Sequence, residues 1–203
     1  MIYFTSDLHF GDKGIIKYER VRFKTIEEHD EFIIEAINKQ VKVTDTLYIL
    51  GDVGNPEKLR YLNGTKHLLL GNHDKQSLKI YQSYVKEVYK TPQYFSERIL
   101  LSHDPHPIRA STLNVHGHLH GSRMATHNHL NISIHVAGYK VYSEVDLSHL
   151  VGDLPKPNEK FLEEWYAPYY VFTQPKSDVF ADRHGRIDLE MTKKLRANLY
   201  KNQ

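Results

Sequence analysis

The sequence predicts an α/β or layered α+β domain in which helices alternate with the strands of a largely buried sheet. Short apolar runs with the length of buried strands recur as far as residue 115. Helical patterns lie between these runs, and polar residues suited to metal binding follow each run directly. The length of 203 residues fits one domain with a sizeable core.

Five apolar runs are predicted to be strands because each is short and ends in polar or turn residues. They are Ile2–Thr5, Thr46–Leu50, His67–Leu70, Arg98–Leu101 and Leu113–Val115. Ligands of such sheets bind beyond the carboxyl ends of the strands. We therefore expect the residues that follow the five runs to share one site.

Helices are predicted between the strands. The clearest pattern runs from Ile26 to Gln40, and Thr25 with Glu28 forms a predicted capping box at its start. A second helix is predicted to end at Leu59–Leu62. A third is predicted over Gln76–Tyr89, before Pro92.

Composition excludes several classes of function. Cysteine is absent, which excludes disulfides, a thiol nucleophile and Cys-based metal sites. No run approaches the ~20 apolar residues of a membrane span, and no secretory signal is evident, so we expect a cytoplasmic location and no membrane partner. The net charge of +2 gives no indication of nucleic-acid binding, although nucleic acid and an oligomer remain open as partners.

Each predicted strand leads into residues that can bind metal ions. These residues are Asp7 and His9, then Asp52, then Gly71-Asn72-His73-Asp74, then His103, and finally His118 and His120. An isolated Asp-x-His or Gly-Asp is more often a turn. The Gly-Asn-His-Asp motif is the most informative, because an amide, an imidazole and a carboxylate follow a Leu-Leu-Leu strand. Five strand ends of this kind indicate one metal site.

In this order the motifs resemble those of the calcineurin-like metallophosphoesterases, and His9-Phe10-Gly11 with the residues after it resembles a small bacterial and phage subgroup. The resemblance implies a two-sheet β-sandwich flanked by helices, with two divalent metal ions at one edge. It implies that residues 1–150 form the catalytic domain. It assigns the first metal to Asp7, His9, Asp52 and His120, and the second to Asp52, Asn72, His103 and His118.

The same resemblance implies a mechanism. Two ions ~3.5 to 4 Å apart would activate a bridging water for in-line attack on phosphorus. His73 would face the substrate and assist the leaving oxygen. Mixed nitrogen and oxygen ligands fit Mn²⁺, Fe or Zn²⁺ better than Ca²⁺, but ligand type alone does not fix the metal. Mn²⁺ is the ion we expect, with Fe, Zn²⁺ or Ni²⁺ as alternatives. Many relatives have a carboxylate three residues after the bridging Asp; here Asn55 stands there and is expected to orient His73 but to stabilise its cation less.

The expected substrate is a small phosphorylated or nucleotide-like ester, with a phosphodiester favoured over a monoester. Arg20 and Arg22 could contact its phosphate, with a solvated basic face as the alternative for each. His106 could also touch substrate, or it could lie on a rigid turn formed with Pro105 and Pro107. The alternative functions are a phosphomonoesterase and a non-catalytic metal-binding or protein-interaction scaffold of the same fold. A scaffold would be expected to have lost ligands.

The C-terminal quarter carries a weaker pattern. Residues 151–203 are predicted to form an extension packed on the catalytic domain, with a helix from Asp188 to Tyr200. A packing or oligomer-contact role is favoured for this extension over a lid.

Overall fold

The computed structural model describes residues 1–120 and 128–156 together with the backbone of 123–124, 165–166, 170–174, 177–181 and 187–188. The predicted helix from Asp188 to Tyr200 lies outside these residues, except for Asp188, which ends a strand. The role predicted for residues 151–203 and the boundary at residue 150 stay predictions. Within the described residues, no helix is both long and apolar enough to cross a membrane.

Fifteen strands and four α-helices are described, with one 3₁₀ helix over Pro56–Tyr61. The helices are α1 (Lys13–Tyr18), α2 (Ile26–Asn38), α3 (Leu78–Gln82) and α4 (Glu144–Gly152). The strands are β1 (Ile2–Thr5), β2 (Thr46–Ile49), β3 (Thr65–Leu69), β4 (Glu87–Tyr89), β5 (Gln93–Ser96), β6 (Ile99–Leu101), β7 (Ile108–Arg109), β8 (Leu113–His116), β9 (Arg123–Met124), β10 (His129–Asn131), β11 (Tyr142–Ser143), β12 (Trp165–Tyr166), β13 (Tyr170–Gln174), β14 (Ser177–Ala181) and β15 (Ile187–Asp188).

Two sheets carry the fold. The first has the order β11-β1-β2-β3-β4, in which β1 to β4 are parallel and β11 is antiparallel to β1. The second has the order β10-β8-β6-β5, in which β5 alone is antiparallel to its neighbour. Strands β12 and β7 form a small pair, and β15-β14-β13-β9 form a further sheet. Parallel pairing brings the carboxyl ends of β1, β2 and β3 to one edge of the first sheet.

Both faces of the first sheet are buried. Leu47 and Ile49 of β2 belong to a core cluster with Ile33 and Ile37 of helix α2, and all four are fully buried. Phe4 of β1 faces the other way and belongs to a second cluster. That second cluster joins the first sheet to β6, β8 and helix α4. The predicted α/β class, with two sheets flanked by helices, is therefore confirmed.

Helix α2 begins where the sequence predicts. The Thr25 hydroxyl accepts a hydrogen bond from the Glu28 amide at 3.1 Å and so caps the helix. The Glu28 carboxylate accepts from the Lys24 amide at 2.8 Å, so the reciprocal bond of the capping box goes to the preceding residue instead of Thr25. The helix ends at Asn38, slightly before the predicted Gln40.

Of the other two predicted helices, one is confirmed and one is wrong. The second helix is a 3₁₀ helix over Pro56–Tyr61 and ends inside the predicted range Leu59–Leu62. The third, predicted over Gln76–Tyr89, ends at Gln82, and Glu87–Tyr89 form strand β4 parallel to β3. Tertiary pairing decides this segment, because the ladder along β3 satisfies backbone groups and a β-branched or aromatic side chain packs well on a sheet.

Candidate metal centre

Loops at the carboxyl ends of β1, β2, β3, β6 and β8 converge on one region. They bring together two groups of side chains that could each hold a metal ion, with the ligand atoms of a group all within 4.8 Å of one another. The groups are Asp7, His9, Asp52 and His120, and Asp52, His103 and His118. These residues come from both sheets, so the region lies where the two sheets meet.

The first group consists of Asp7, His9, Asp52 and His120, and its atoms surround one point. His9 Nε2 lies 3.1 Å from His120 Nε2 and 3.7 Å from Asp52 Oδ2. His120 Nε2 lies 3.5 Å from Asp7 Oδ1. Asp7 is fully buried, and its other oxygen accepts a hydrogen bond from Ser133 at 2.6 Å.

The second group gains Asn72 as a fourth member. Its side-chain oxygen lies 2.9 Å from both His103 Nε2 and His118 Nδ1. His103 Nε2 in turn lies 3.3 Å from Asp52 Oδ2. Asp52, Asn72, His103 and His118 are called the second group below.

Asp52 belongs to both groups. Its Oδ1 accepts a hydrogen bond from the His73 amide at 2.8 Å. Its Oδ2 is buried and has no hydrogen-bond partner among the described residues. A buried carboxylate oxygen without a partner is costly, whereas a cation bound on each side would satisfy it. The mixed nitrogen and oxygen donors therefore fit two divalent ions that share Asp52.

Each of the four histidines is held through its remote ring nitrogen, as is usual for metal-binding histidines. The pairs are His9 Nδ1 with Asp12 at 3.4 Å, His103 Nδ1 with the Leu50 carbonyl at 2.8 Å, His118 Nε2 with Asp104 at 3.2 Å, and His120 Nδ1 with Glu19. No sequence pattern predicts a role for Asp12, Glu19 or Asp104. Asp104 directly follows His103, but Glu19 is 101 positions from His120, and no local pattern connects them.

The backbone is strained at the site. Six non-glycine residues among those described have a positive φ, and five belong to the two groups. They are Asp7 (58°), His9 (51°), Asp52 (54°), His118 (66°) and His120 (37°). Such conformations cost roughly 1–3 kcal/mol each and persist only where the surroundings hold them. The Asp7 amide donates to the Gly51 carbonyl at 3.0 Å, and the His9 amide to the Asp52 carbonyl at 2.9 Å.

Two glycines are required by close approach to the site. A Cβ at Gly71 would collide with the Asp52 carboxylate. A Cβ at Gly117 would collide with the side chains of Ser6 and Asp7. Asp74 also supports these loops, because its carboxylate accepts hydrogen bonds from the amides of Asp52, Val53 and Gly71. Asp74 ends the Gly-Asn-His-Asp motif, but the motif alone does not predict this supporting role.

Nearby carboxylates raise the pKa of two of the histidines. Burial opposes the cationic form of His103, but the Asp52 carboxylate, 3.3 Å from Nε2, and the charge of Asp7 raise its pKa to about 9. Burial likewise opposes the cation of His120, whose pKa rises to about 9 beside Asp7 and Glu19. The two protons neutralise the same carboxylates that a bound cation would neutralise.

The sequence profile of the calcineurin-like phosphoesterases matches residues 1–192. The chain belongs to the calcineurin-like phosphoesterase family. This confirms the resemblance drawn from the motifs. Members of the family typically bind two divalent metal ions, in agreement with the two groups. The identity of the metal stays a prediction.

Three similar proteins extend the comparison. An uncharacterized protein of Methanocaldococcus jannaschii is 30% identical over 162 residues, which cover 70% of this chain and 86% of that protein. The gene 66 protein of Mycobacterium phage L5 is 37% identical over 81 residues, or 36% of this chain and 39% of the phage protein. The crystal structure of a protein of unknown function from Aquifex aeolicus is 30% identical, with a TM-score of 0.60, and the match covers 74% of this chain and 98% of that one.

His73, predicted to be the catalytic histidine of this phosphoesterase, lies at the open side of the first group. Its side chain is exposed, and its ring centroid is 5.5 Å from that of His9, edge-on. Asn55 does not hold this ring through a hydrogen bond in the described residues. Its side-chain oxygen instead accepts from the Glu57 amide at 3.0 Å and caps the 3₁₀ helix that Pro56 begins. Asn55 therefore has a capping role, and the support expected from it for His73 stays a prediction.

Both arginines proposed for substrate contact have other partners. Arg20 is 2% exposed, so it lies neither on a solvated face nor open to substrate, and its guanidinium donates to the carbonyls of Asp7 and Leu8. Arg22 is exposed, with its guanidinium carbon over three aromatic rings. These rings are Phe23 at 4.4 Å, Phe32 at 4.2 Å and Tyr139 at 4.3 Å.

His106 lies in the loop that follows His103. Its amide donates to Asn114 Oδ1 at 2.8 Å, and its carbonyl oxygen lies 2.8 Å from His129 Nε2. The side chain is half-buried. A substrate contact by His106 stays a prediction.

Proposed function

We propose that the chain is a phosphoesterase that uses two divalent metal ions, with Mn²⁺ preferred, to hydrolyse phosphodiesters of nucleotide-like character. The observation that carries this proposal is the shared Asp52 carboxylate. Its Oδ2 is buried, has no hydrogen-bond partner among the described residues, and belongs to two convergent groups of metal-binding side chains.

Each residue has a defined place in this proposal. Asp7, His9, Asp52 and His120 would hold one ion, and Asp52, Asn72, His103 and His118 the other. When bound, the two ions would supply an activated water and positive charge for the phosphoryl oxygens. The Asp52 carboxylate would contribute to both sites, and hydrogen bonds at its backbone amide and Oδ1 hold it in place.

His73 would act on the leaving group. Its amide is anchored on Asp52 Oδ1, while its ring is exposed beside the first group. No carboxylate contacts the ring among the described residues. A histidine without such a partner is a weaker general acid, which favours esters with good leaving groups.

The preference for diesters follows from charge. A monoester dianion carries one more negative charge than a diester at neutral pH. Of the two arginines that could have met this charge, Arg20 is committed to backbone carbonyls and Arg22 is stacked on aromatic rings. A diester monoanion is therefore the better match for the site.

The test compares hydrolysis of bis(p-nitrophenyl) phosphate and p-nitrophenyl phosphate by metal-stripped protein, with Mn²⁺ restored or withheld. We expect activity only with the metal, faster turnover of the diester, and in His73→Ala a loss near the lower end of the roughly 100- to 10,000-fold range, because p-nitrophenolate leaves readily. His149→Ala, an exposed histidine on helix α4, is the matched control and should match the unsubstituted protein.

Two other results of this assay would indicate a different function. Faster turnover of the monoester would make the chain a phosphomonoesterase. A lack of activity on both esters with Mn²⁺, Zn²⁺, Fe²⁺ and Ni²⁺ would contradict the proposed activity on simple esters and favour the scaffold.

A further inference from the structure

A buried set of charged and polar side chains lies behind the first group, and the proposed hydrolysis does not use it. Arg20, His29 and Asp30 are each no more than 2% exposed. Burying an arginine and a carboxylate is unfavourable unless both are paired and hydrogen-bonded. The groups that pair with these three residues therefore show which part of the fold they support.

The contacts form one continuous chain from helix α2 to the metal-binding loop. Asp30 contacts His29 Nδ1 at 3.0 Å, and His29 Nε2 lies 2.8 Å from the Arg20 guanidinium. Arg20 then donates to the carbonyl of Leu8 at 3.1 Å and to that of Asp7. In this geometry His29 donates from Nδ1 to Asp30 and accepts at Nε2 from Arg20, which fixes the orientation of both neighbours.

Asp30 also holds the far end of the same loop. Its two carboxylate oxygens accept from the Gly11 amide at 3.2 and 3.1 Å. The Lys58 ammonium lies 3.6 Å from the carboxylate and partly balances its charge. The loop from Asp7 to Gly11 is thus bonded at both ends to a set of side chains that helix α2 carries.

This loop carries backbone strain that contacts from outside it must hold. Asp7 and His9 both adopt left-handed backbone conformations, with φ of 58° and 51°, which are unfavourable for residues with a Cβ. Arg20 contacts the carbonyls of this loop and not the ligand oxygens of Asp7. Its effect on a metal would therefore be exerted through the backbone.

We propose that Arg20, seated on helix α2 by His29 and Asp30, is a positioning residue that holds Asp7 and His9 in the conformation required by the first metal ion. This inference rests on the proposed function, because it needs a metal at the first group. The second group takes three of its four ligands from other loops, namely Asn72, His103 and His118. Loss of Arg20 should therefore weaken the first site selectively.

The experiment measures Mn²⁺ affinity by calorimetry and electron paramagnetic resonance in two backgrounds. His118→Ala leaves the first group intact, and His9→Ala leaves the second intact. We expect Arg20→Met to lower Mn²⁺ affinity at least tenfold in the His118→Ala background and less than twofold in the His9→Ala background. Arg20→Lys keeps the charge but offers fewer hydrogen-bond donors. We therefore expect it to lower Mn²⁺ affinity less than Arg20→Met does, and again more in the His118→Ala background than in the His9→Ala background.

Arg98→Met is the matched control. Arg98 also donates to backbone carbonyls, those of Ser111, Leu154 and Pro155, but it lies before β6 and away from both groups. It should lower the melting temperature without changing Mn²⁺ affinity in either background.

Three results are distinguishable. If folded Arg20→Met binds Mn²⁺ unchanged in the His118→Ala background, or loses affinity equally in both, the positioning role is overturned. If Arg20→Met does not fold, Arg20→Lys decides by the same two criteria. If the unsubstituted protein binds no Mn²⁺, the proposed function fails and the inference fails with it.

Discussion

Asn55 stands where many relatives have a carboxylate, and its side-chain oxygen bonds to the Glu57 amide. Its oxygen caps the 3₁₀ helix at Glu57 and does not reach His73. An aspartate would cap equally well, since Asp and Asn rank together at such positions. The Asn55 side chain is therefore already engaged in the helix cap when no substrate is bound.

We accordingly expect Asn55→Asp to leave the dependence of kcat/KM on leaving-group pKa unchanged. Asn55→Ala should lower the free energy of unfolding by about 1 kcal/mol through loss of the cap. The measurements are a series of aryl phosphodiesters and urea unfolding. Selective acceleration of poor leaving groups by Asn55→Asp would show that the carboxylate turns to His73 after all.

Glu19 is the residue whose importance only the folded structure reveals. It contacts the remote nitrogen of His120 and fixes the direction in which Nε2 faces the first group. Loss of such an outer partner typically costs 10–100-fold in metal affinity. We expect a decrease of about that size for Mn²⁺ in Glu19→Gln, measured by calorimetry.

The control for Glu19 is Glu27→Gln, an exposed carboxylate in the first turn of helix α2. It removes the same charge from a surface position and should leave Mn²⁺ affinity unchanged. An equal loss in both variants would mean that general charge, and not the contact with His120, attracts the metal.

At the scale of elements, strands β2, β3 and β4 are joined by a ladder of rings. His67 of β3 stacks on Tyr48 at 4.7 Å and on Tyr89 at 6.2 Å between ring centroids. Burial lowers the pKa of His67 below its ordinary value near 6.5, against the charge of Glu87. The neutral ring is therefore the form that the folded strands favour.

The sign of the pH dependence follows from this shift. Below about pH 6.5 the unfolded chain binds a proton at His67 more readily than the folded chain does, so stability falls as pH falls. His67→Phe keeps the stacking and should reduce this decrease between pH 7.5 and 5.5. Urea unfolding in EDTA measures it, and identical pH slopes for both proteins would refute the assignment.

At the scale of the whole molecule, the site joins the two sheets. Asp7, Asp52 and Asn72 follow strands of the first sheet, whereas His103 and His118 follow strands of the second. A ligand that binds only the folded protein stabilises it, by ≈ 2.7 kcal/mol for one site at a concentration 100 times Kd. Metal ions at this junction should therefore stabilise the sandwich.

We expect Mn²⁺ to raise the melting temperature of EDTA-treated protein, measured by calorimetry. Asp52→Ala should abolish most of this rise because both groups lose a ligand, whereas His118→Ala should keep part of it. Ser148→Ala, an exposed position on helix α4, is the control. A full rise in Asp52→Ala would contradict a shared bridging carboxylate.

Apolar periodicity and capping are local signals, and they predict the five strands, helix α2 and the motif residues that meet at the strand ends. Such signals fail at strand β4, where pairing with β3 overrides a helical pattern. Only the tertiary structure joined Glu19 to His120 and buried Arg20 behind Asp7. Contacts between distant positions depend on how the sheets and loops pack, and no pattern in neighbouring residues encodes them.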